Sequence, residues 1–398
     1  MKKLLLLLCL TGFSPVYGAQ IIRGPYLENP TPTAMTLRWQ TSTATPSWLE
    51  YGPVPHCNQI MTLTPQAYNH KIVLYGLVPN QDYCYNLYVS NAARSGVQEP
   101  VSGTFRTLFS PERKVVNFLV LGSTGSDPVD GVEDNLQADS RSQIAGLMTN
   151  EKADFVLHTG NLTHSGLNED ADEELFRPFA EILKNSPLLV ALGPNEYGPD
   201  KKDRDSKDFL RTNYTRYHDM PWSNATPKYY YMDSANARFI FLDTNIVEGA
   251  VWAPEIGPDS QQTQWLKTTL SQASGKWKIV VMNAPAYSTG LGGASQEVYD
   301  AWVKIFEDYR VNLVLQGGDP NYERTFPLRG EETHPRGVTY VTVGTSAELP
   351  GKRASNEKYT ARFVSTPHFA VGKIVDRKLT LTVYSDTGKQ LDKLEMYL

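Results

Sequence analysis

The sequence has few cysteines, no basic cluster and no long apolar segment. Three of its 398 residues are cysteine, and its 38 Lys and Arg residues against 43 Asp and Glu residues give a net charge of −5. A mildly acidic chain without basic runs excludes nucleic acid and anionic membrane surfaces as expected partners. Its longest apolar run, at residues 4–10, is too short to span a bilayer.

The first residues have the build of a secretory signal peptide. Lys2 and Lys3 precede the apolar run, and small residues follow at Gly18 and Ala19. We expect a signal peptide over residues 1–18 and a mature chain that is soluble and either secreted or periplasmic. Cleavage removes Cys9, so Cys57 and Cys84 remain as an even pair. In an oxidising compartment these two are expected to form a disulfide.

Residues 20–108 read as an all-β domain. Apolar and polar residues alternate over residues 35–41, 48–52 and 83–90, with Pro, Gly and Asn clusters between them. Short alternating strands separated by turn signals predict a β-sandwich. Residues 110–113 (Ser-Pro-Glu-Arg) are the expected linker to a second domain, since the chain is too long for one ordinary core.

Residues 114–398 have a different pattern of apolar and polar residues. Continuous apolar runs, typical of strands buried on both faces, occur at 115–122, 154–160, 187–193, 238–245, 278–285 and 311–318. Helical patterns intervene at 142–148, 173–183, 262–270 and 298–309, and β-type segments follow at 339–344 and 378–385. The alternation predicts a layered α/β domain with a mixed sheet.

Several of these runs end in the same way, with a glycine or small residue and then a polar or conformationally special residue. The segments are Gly122-Ser123-Thr124-Gly125, Gly160-Asn161-Leu162-Thr163-His164, Gly193-Pro194-Asn195-Glu196, Met282-Asn283-Ala284-Pro285 and Gly317-Gly318-Asp319-Pro320. Ligands of α/β proteins bind beyond the carboxyl ends of strands, so these segments are the candidate site.

Their order and surroundings resemble the purple acid phosphatases, which are calcineurin-like metallophosphoesterases with an N-terminal fibronectin type III-like domain. The blocks of that family run DxG, GDxxY, GNH[DE], VxxH and GHxH. Scaffold stretches such as KYYYMDSANARFIFLDTN and YRVNLVLQGGDPNYERTFPL resemble the family over most of the chain. The resemblance implies a β-sandwich followed by a four-layer αββα sandwich, with a dinuclear Fe, Zn or Mn centre.

The residues that hold the metals in this family are replaced here. Its metal-binding Asp is replaced by Ser123, its bridging Asp by Asn161 and its iron-binding Tyr by His164. The remaining replacements are Pro194 for the metal-binding Asn, Asn195 for the substrate-contacting His, Asn283 for the His of VxxH, and Gly318 and Pro320 for the two His of GHxH.

These replacements remove the chemistry that a two-metal centre needs. Such a centre requires an anionic bridge and imidazole or phenolate ligands to hold two cations that activate water. Only His164 is an ordinary metal ligand, whereas Asn161 and Asn283 bring neutral amides. We therefore predict no bound metal, and we assign no catalytic residue.

Two features of the sequence could still provide a binding site at these strand ends. A shift in register could bring Asp127, Asp319 or Glu196 to the site, although a solvated or hydrogen-bonding role for these acids fits the unshifted spacing better. The Gly122–Ser126 turn could form a backbone nest for an anion, although glycine-rich turns are commonly only turns.

Three hypotheses for function follow. The first is an inactive pseudo-phosphatase that binds or scaffolds an unknown protein or a small phosphorylated or anionic ligand. The second is a divergent metal-dependent phosphoesterase that hydrolyses phosphomonoesters through His164, Asp319 and either Asp127 or Glu196. The third is an anion receptor. The ligand-binding candidates are Ser123, Asn161, His164, Asn195, Asn283 and Asp319.

Overall fold

The structure is a computed structural model that describes residues 19–89, 99–109, 113–125, 134–213 and 228–398. The described strands are β1 (Ile21–Glu28), β2 (Ala34–Pro53), β3 (Ile60–Tyr75), β4 (Asp82–Val89), β5 (Val101–Arg106), β6 (Val115–Leu121), β7 (Phe155–His158), β8 (Leu188–Val190), β9 (Tyr230–Ser234), β10 (Ala237–Phe241), β11 (Trp277–Met282), β12 (Leu313–Gln316), β13 (Tyr322–Thr325), β14 (Leu328–Arg329), β15 (Glu332–Thr333), β16 (Thr339–Val343), β17 (Thr360–Val364), β18 (His368–Val375), β19 (Lys378–Ser385) and β20 (Gln390–Tyr397).

The described helices are mostly short. They are α1 (Asp134–Met148), α2 (Ala180–Leu183), α3 (Pro194–Tyr197), α4 (Lys201–Arg204), α5 (Phe209–Thr212), α6 (Gln261–Ser271), α7 (Gln296–Val298) and α8 (Lys304–Asp308), with π-helical segments at Asp172–Phe176 and Tyr299–Val303. Helix α6 begins where the Ser260 hydroxyl accepts the Thr263 N–H, a side-chain cap of the first turn. Among the described residues, no helix is long and apolar enough to cross a membrane.

Two large sheets form the centre of the molecule. The first has the order β20-β19-β18-β6-β7-β8-β1-β2-β4-β5, with β3 attached to β2, and the second has the order β17-β13-β16-β12-β11-β10-β9. They share an apolar core in which the rings of Phe118 and Phe155 lie 5.3 and 5.1 Å from that of Phe239. Helices cover both outer faces, so the predicted four-layer αββα arrangement is confirmed.

The N-terminal part is a β-sandwich, as predicted, but its strands are longer than expected. The two strands predicted at 35–41 and 48–52 form one strand, β2, whose first part pairs with β1 and whose second part pairs with β4. Irregular pairing with β3 between Gln40 and Ser47 lets β2 bend without ending. The Ser, Thr and Pro residues there are typical of turns, so the sequence alone does not show that the strand continues. The predicted Cys57–Cys84 disulfide is present.

The sandwich and the α/β part are joined by direct contacts. Strand β1 pairs with β8 at Glu28 and Leu188, so one sheet runs through both parts. The Arg23 guanidinium contacts the Asp172 carboxylate at 2.6 Å, and the Tyr85 hydroxyl donates to the Lys184 carbonyl. Because one sheet runs through both parts, it does not mark a boundary between domains, and the limits 20–108 and 114–398 remain predictions. The expected signal peptide (1–18) and linker residues 110–112 lie outside the described residues.

The helix predicted over 173–183 is not continuous. A π-helical segment ends at Phe176 and α2 begins at Ala180, with a turn between them. Pro178 lies in this turn. Proline has no N–H for the helical ladder, and it disfavours helical geometry in the residue before it.

Candidate functional site

The strand ends predicted to carry the site come together. Strands β6 and β7 run parallel in the first sheet, and β11, β12 and β16 run parallel in the second. Beyond these strands the two sheets touch, since Ser123 bridges to Thr345 and the Thr159 hydroxyl donates to the Val343 carbonyl at 3.0 Å. We call Ser123, Asn161, Asn195, Asn283 and Gly318 the strand-end cluster.

Asn161 organises the first-sheet side of this cluster. It has a left-handed backbone, with φ of 60°, which asparagine tolerates better than most residues. Its carbonyl accepts the N–H groups of Thr124 and Gly125, both at 3.1 Å, and its side-chain oxygen accepts the Asn195 N–H at 3.2 Å. The Ser123 hydroxyl donates to the Gly125 carbonyl at 3.0 Å.

These bonds correct the anion-nest hypothesis for Gly122–Ser126. The N–H groups of Thr124 and Gly125 point at a protein carbonyl, so they are not free to receive an anion. Ser126 lies outside the described residues.

Asn283 ties the second sheet to the first. Its side chain is buried, and its amide nitrogen donates to the Thr159 carbonyl at 2.7 Å. Gly193 packs against the same group: a Cβ there would overlap the Asn161 side-chain oxygen and come within 2.9 Å of the Asn283 amide nitrogen. The cluster is therefore closed by its own hydrogen bonds and by close backbone packing.

The remaining replaced positions have backbone roles. Gly318 has φ of 75°, and a Cβ there would lie 2.9 Å from Pro285 Cδ, so a histidine in this backbone conformation would be strained. Pro194 is the first residue of α3, where a missing N–H costs nothing. The Pro320 carbonyl accepts the Gly351 N–H at 2.8 Å.

His164 is bound to an acidic side chain. Its Nδ1 lies 3.0 Å from Glu174 Oε1, its backbone N–H donates to Glu174 Oε2 at 2.8 Å, and its Nε2 lies 3.9 Å from Asp170 Oδ2. Glu174 was not identified from the sequence as this partner, because an acid ten residues away gives no local signal. Glu174 ends an acidic run at residues 169–174, and such a run by itself favours only a helix N-terminus.

Glu196 is fully buried at the base of the cluster. Its carboxylate accepts the N–H groups of Asn161, Leu162 and Gly193 at 3.0, 2.8 and 2.7 Å. Burial raises its pKa to about 7, although these three N–H groups act in the opposite direction. Glu196 thus holds two loops through its oxygen atoms.

Asp319 holds a different loop. Its buried carboxylate accepts the Ser288 hydroxyl and, at 3.3 Å each, the N–H groups of Gly292 and Gly293. These contacts direct the Asp319 carboxylate toward the glycine-rich loop at residues 288–293. Asp127 lies outside the described residues.

Two further buried acids were not singled out from the sequence. Asp243 accepts the Tyr197 hydroxyl and the Asn245 amide, and Glu323 accepts the hydroxyls of Thr289 and Thr360. Asp243 follows an apolar run, as the candidate residues do, so the same strand-end signal could have found it.

The donor set does not fit a dinuclear metal centre. The described residues contain no group of three His, Cys, Asp or Glu side chains placed to hold a metal ion. The cluster itself offers a hydroxyl and amides that already bond to protein, and no anionic group that could bridge two cations.

Comparison with known proteins shows which proteins this chain is similar to. The calcineurin-like phosphoesterase family model matches residues 132–322. An uncharacterized Mycobacterium tuberculosis protein is 27% identical over 285 residues, which cover 65% of this chain and 50% of that protein. Purple acid phosphatase 21 of Arabidopsis thaliana is 23% identical and aligns over 77% of this chain and 66% of its own. The present chain thus spans about half the length of the mycobacterial relative.

A solved structure supports the same placement. The purple acid phosphatase PPD1 from yellow lupin seeds superposes with a TM-score of 0.71 at 18% identity, covering 94% of this chain and 74% of that one. At this identity the match concerns the fold. Together, the family model, the relatives and the shared fold support a metallophosphoesterase scaffold that is similar to the purple acid phosphatases.

Proposed function

We propose that this protein is a pseudo-phosphatase, which keeps the phosphoesterase scaffold and acts by binding or scaffolding. The observation that carries the proposal is that side chains of the strand-end cluster are already hydrogen-bonded to other protein groups. Asn161 and Asn283 stand at family ligand positions, yet their amides bond to Asn195 and Thr159. Metal binding at this place would have to break these bonds and would gain only neutral ligands.

The divergent-phosphoesterase alternative has less support. It requires His164 to act with Asp319 and either Glu196 or Asp127 on one metal. His164 is paired with Glu174, and the Glu196 carboxylate accepts three backbone N–H groups. Asp319 faces the Ser288–Gly293 loop. A rebuilt site would need all three side chains to leave these partners.

Metal analysis combined with a chromogenic phosphomonoester assay tests the proposal. Protein purified from medium containing Fe, Zn and Mn is expected to carry substoichiometric metal and to show no turnover that a chelator removes. Two equivalents of metal with chelator-sensitive turnover would overturn it. His164→Ala is the matched variant, since loss of measurable activity in it would establish the alternative instead.

The proposed partner is a protein rather than a small anion. The N–H groups at Thr124 and Gly125 donate to Asn161, which leaves the small-anion version without its main donors. Calorimetry with inorganic phosphate distinguishes the two classes, because binding heat would favour a phosphorylated or anionic ligand and no heat is expected here.

The protein is also proposed to act outside the cytoplasm. The expected signal peptide over residues 1–18 supports export, and so does the Cys57–Cys84 disulfide, since disulfides persist in oxidising compartments. Mass measurement of the protein recovered from its native host tests this point. A chain that starts at Ala19 or Gln20 is expected, and an intact Met1 would contradict it.

A further inference from the structure

Strand β3 is an open edge. It is 16 residues long and, among the described strands, pairs only with β2. Three apolar side chains lie exposed at its start: Ile60 is 50%, Met61 61% and Leu63 66% exposed. An open edge presents unpaired N–H and carbonyl groups to any strand that approaches.

The other sheet edges in the described part of the chain are short or charged. The edge strand β20 carries Asp392, Lys393 and Glu395, and strands β5, β9 and β17 have only five or six residues each. By contrast, residues 57–69, which include the first half of β3, contain no Asp, Glu, Lys or Arg. Charge is one of the usual protections of an edge, and this segment lacks it.

An apolar row leads up to this edge. Leu63 pairs in register with Trp48, and Trp48 pairs with Tyr88 on the next strand. The Trp48 and Tyr88 rings stack with centroids 5.2 Å apart. Met61 and Leu63 alternate with Thr62, so both point to the same face as Trp48. An added strand would extend this row.

We propose that β3 pairs antiparallel with β3 of a second copy of this chain, about a two-fold axis at Thr62. Met61 then lies opposite Leu63 of the second copy, and Ile60 lies opposite Thr64. Pro65, which has no N–H to donate, falls just outside the paired segment. This register continues the apolar row from one subunit into the other.

A second copy fits this edge better than a charged partner. Two chains with a net negative charge repel each other, and the uncharged segment 57–69 is a place where they can meet without like charges in contact. A charged partner would find no opposite charge there. A two-fold axis also makes the same strand serve both subunits, as an isologous interface requires.

A paired segment of five residues is at the small end of protein interfaces. We therefore expect a reversible dimer with a Kd on the order of micromolar.

Sedimentation equilibrium of the full mature chain over a range of concentrations tests the dimer. Leu63→Lys is expected to weaken dimerisation at least about tenfold, because the seam would bury an ammonium group. Leu291→Lys is the matched control, since Leu291 is 69% exposed in the α/β part. It should leave the Kd unchanged. A wild type that stays monomeric throughout, or a dimer that Leu63→Lys leaves intact, would overturn the proposal.

Cysteine cross-linking tests the register independently. Directly opposed residues of antiparallel strands have Cα atoms about 4.5–5.5 Å apart, within the range that a disulfide bridges. Under mild oxidation, Thr62→Cys should give a covalent dimer, and so should Met61→Cys/Leu63→Cys, whereas Leu63→Cys alone should not. If Thr62→Cys remains uncross-linked under conditions where the wild type dimerises, the proposed pairing is wrong.

Discussion

Two groups of residues at the strand ends differ in charge. The supporting loops are held by buried carboxylates, Glu196 and Asp319 among them, each of which accepts several protein donors. The strand-end cluster, which stands at positions where the family has metal- or substrate-binding residues, has neutral side chains. In a dinuclear enzyme the cations link the loops of both sheets. Here Asn283, bonded to Thr159, makes such a link without metal. The buried charges at these strand ends therefore hold loops in place.

Among the substitutions that test this difference, Glu196→Ala is expected to have the largest effect on stability. Glu196→Ala leaves the N–H groups of Asn161, Leu162 and Gly193 without their acceptor in a buried place. Since each of the three unsatisfied donors costs about 1–3 kcal/mol, we expect the free energy of unfolding to fall by about 3–9 kcal/mol. Denaturant unfolding measures it.

The matched control is the neighbouring Asn195→Ala, which removes one side-chain bond, from Asn195 to the Thr163 carbonyl. An equal loss of stability in the two variants would show that Glu196 has no special role in holding the loops.

The pH dependence of stability is the next effect in size. Glu196 titrates near pH 7 in the folded protein and near 4.5 as a free side chain, so between these values the folded state holds a proton that the unfolded chain has released. Its contribution therefore makes the free energy of unfolding fall as pH rises from about 4.5 to 7, by about 3 kcal/mol. Above pH 7 this contribution is constant.

Glu196→Gln isolates this contribution. Burial also raises the pKa of Glu28, to about 8, so the variant keeps a second dependence of stability on pH, with the same sign. The measured quantity is the difference between wild type and variant in urea unfolding at pH 5, 6 and 7. We expect the variant to lose part of the slope, and parallel curves would contradict the assignment to Glu196.

Much of the fold is readable from the sequence for a physical reason. Strands such as β6 and β12 are buried on both faces, so their apolar runs stand out from the alternating strands of the sandwich. The error at β2 arose because a bulge and a turn use similar residues. Only the pairing with residues 64–69 of β3, which no local pattern reveals, shows that the strand continues.

The site was readable only in part. The positions of Ser123, Asn161 and Asn283 follow from the strand-end pattern in the sequence, and the geometry of the strand ends brings them together. It could not give the direction of each side chain. The partnership of His164 with Glu174 and the turning of Asp319 toward Ser288 depend on loop conformations that no local pattern encodes.

The smallest effect concerns the link between the sheets. Asn283→Ala removes the donor to the Thr159 carbonyl and should lower the free energy of unfolding by about 1–2 kcal/mol, less than Glu196→Ala, because a single buried bond is lost. Asn283→Asp is the informative companion. It keeps the shape but turns a carboxylate oxygen toward the carbonyl oxygen of Thr159, so it should cost more than alanine. If both variants are as stable as the wild type, Asn283 does not link the sheets. Its amide would then be available to a ligand, and the observation that carries the proposed function would be lost.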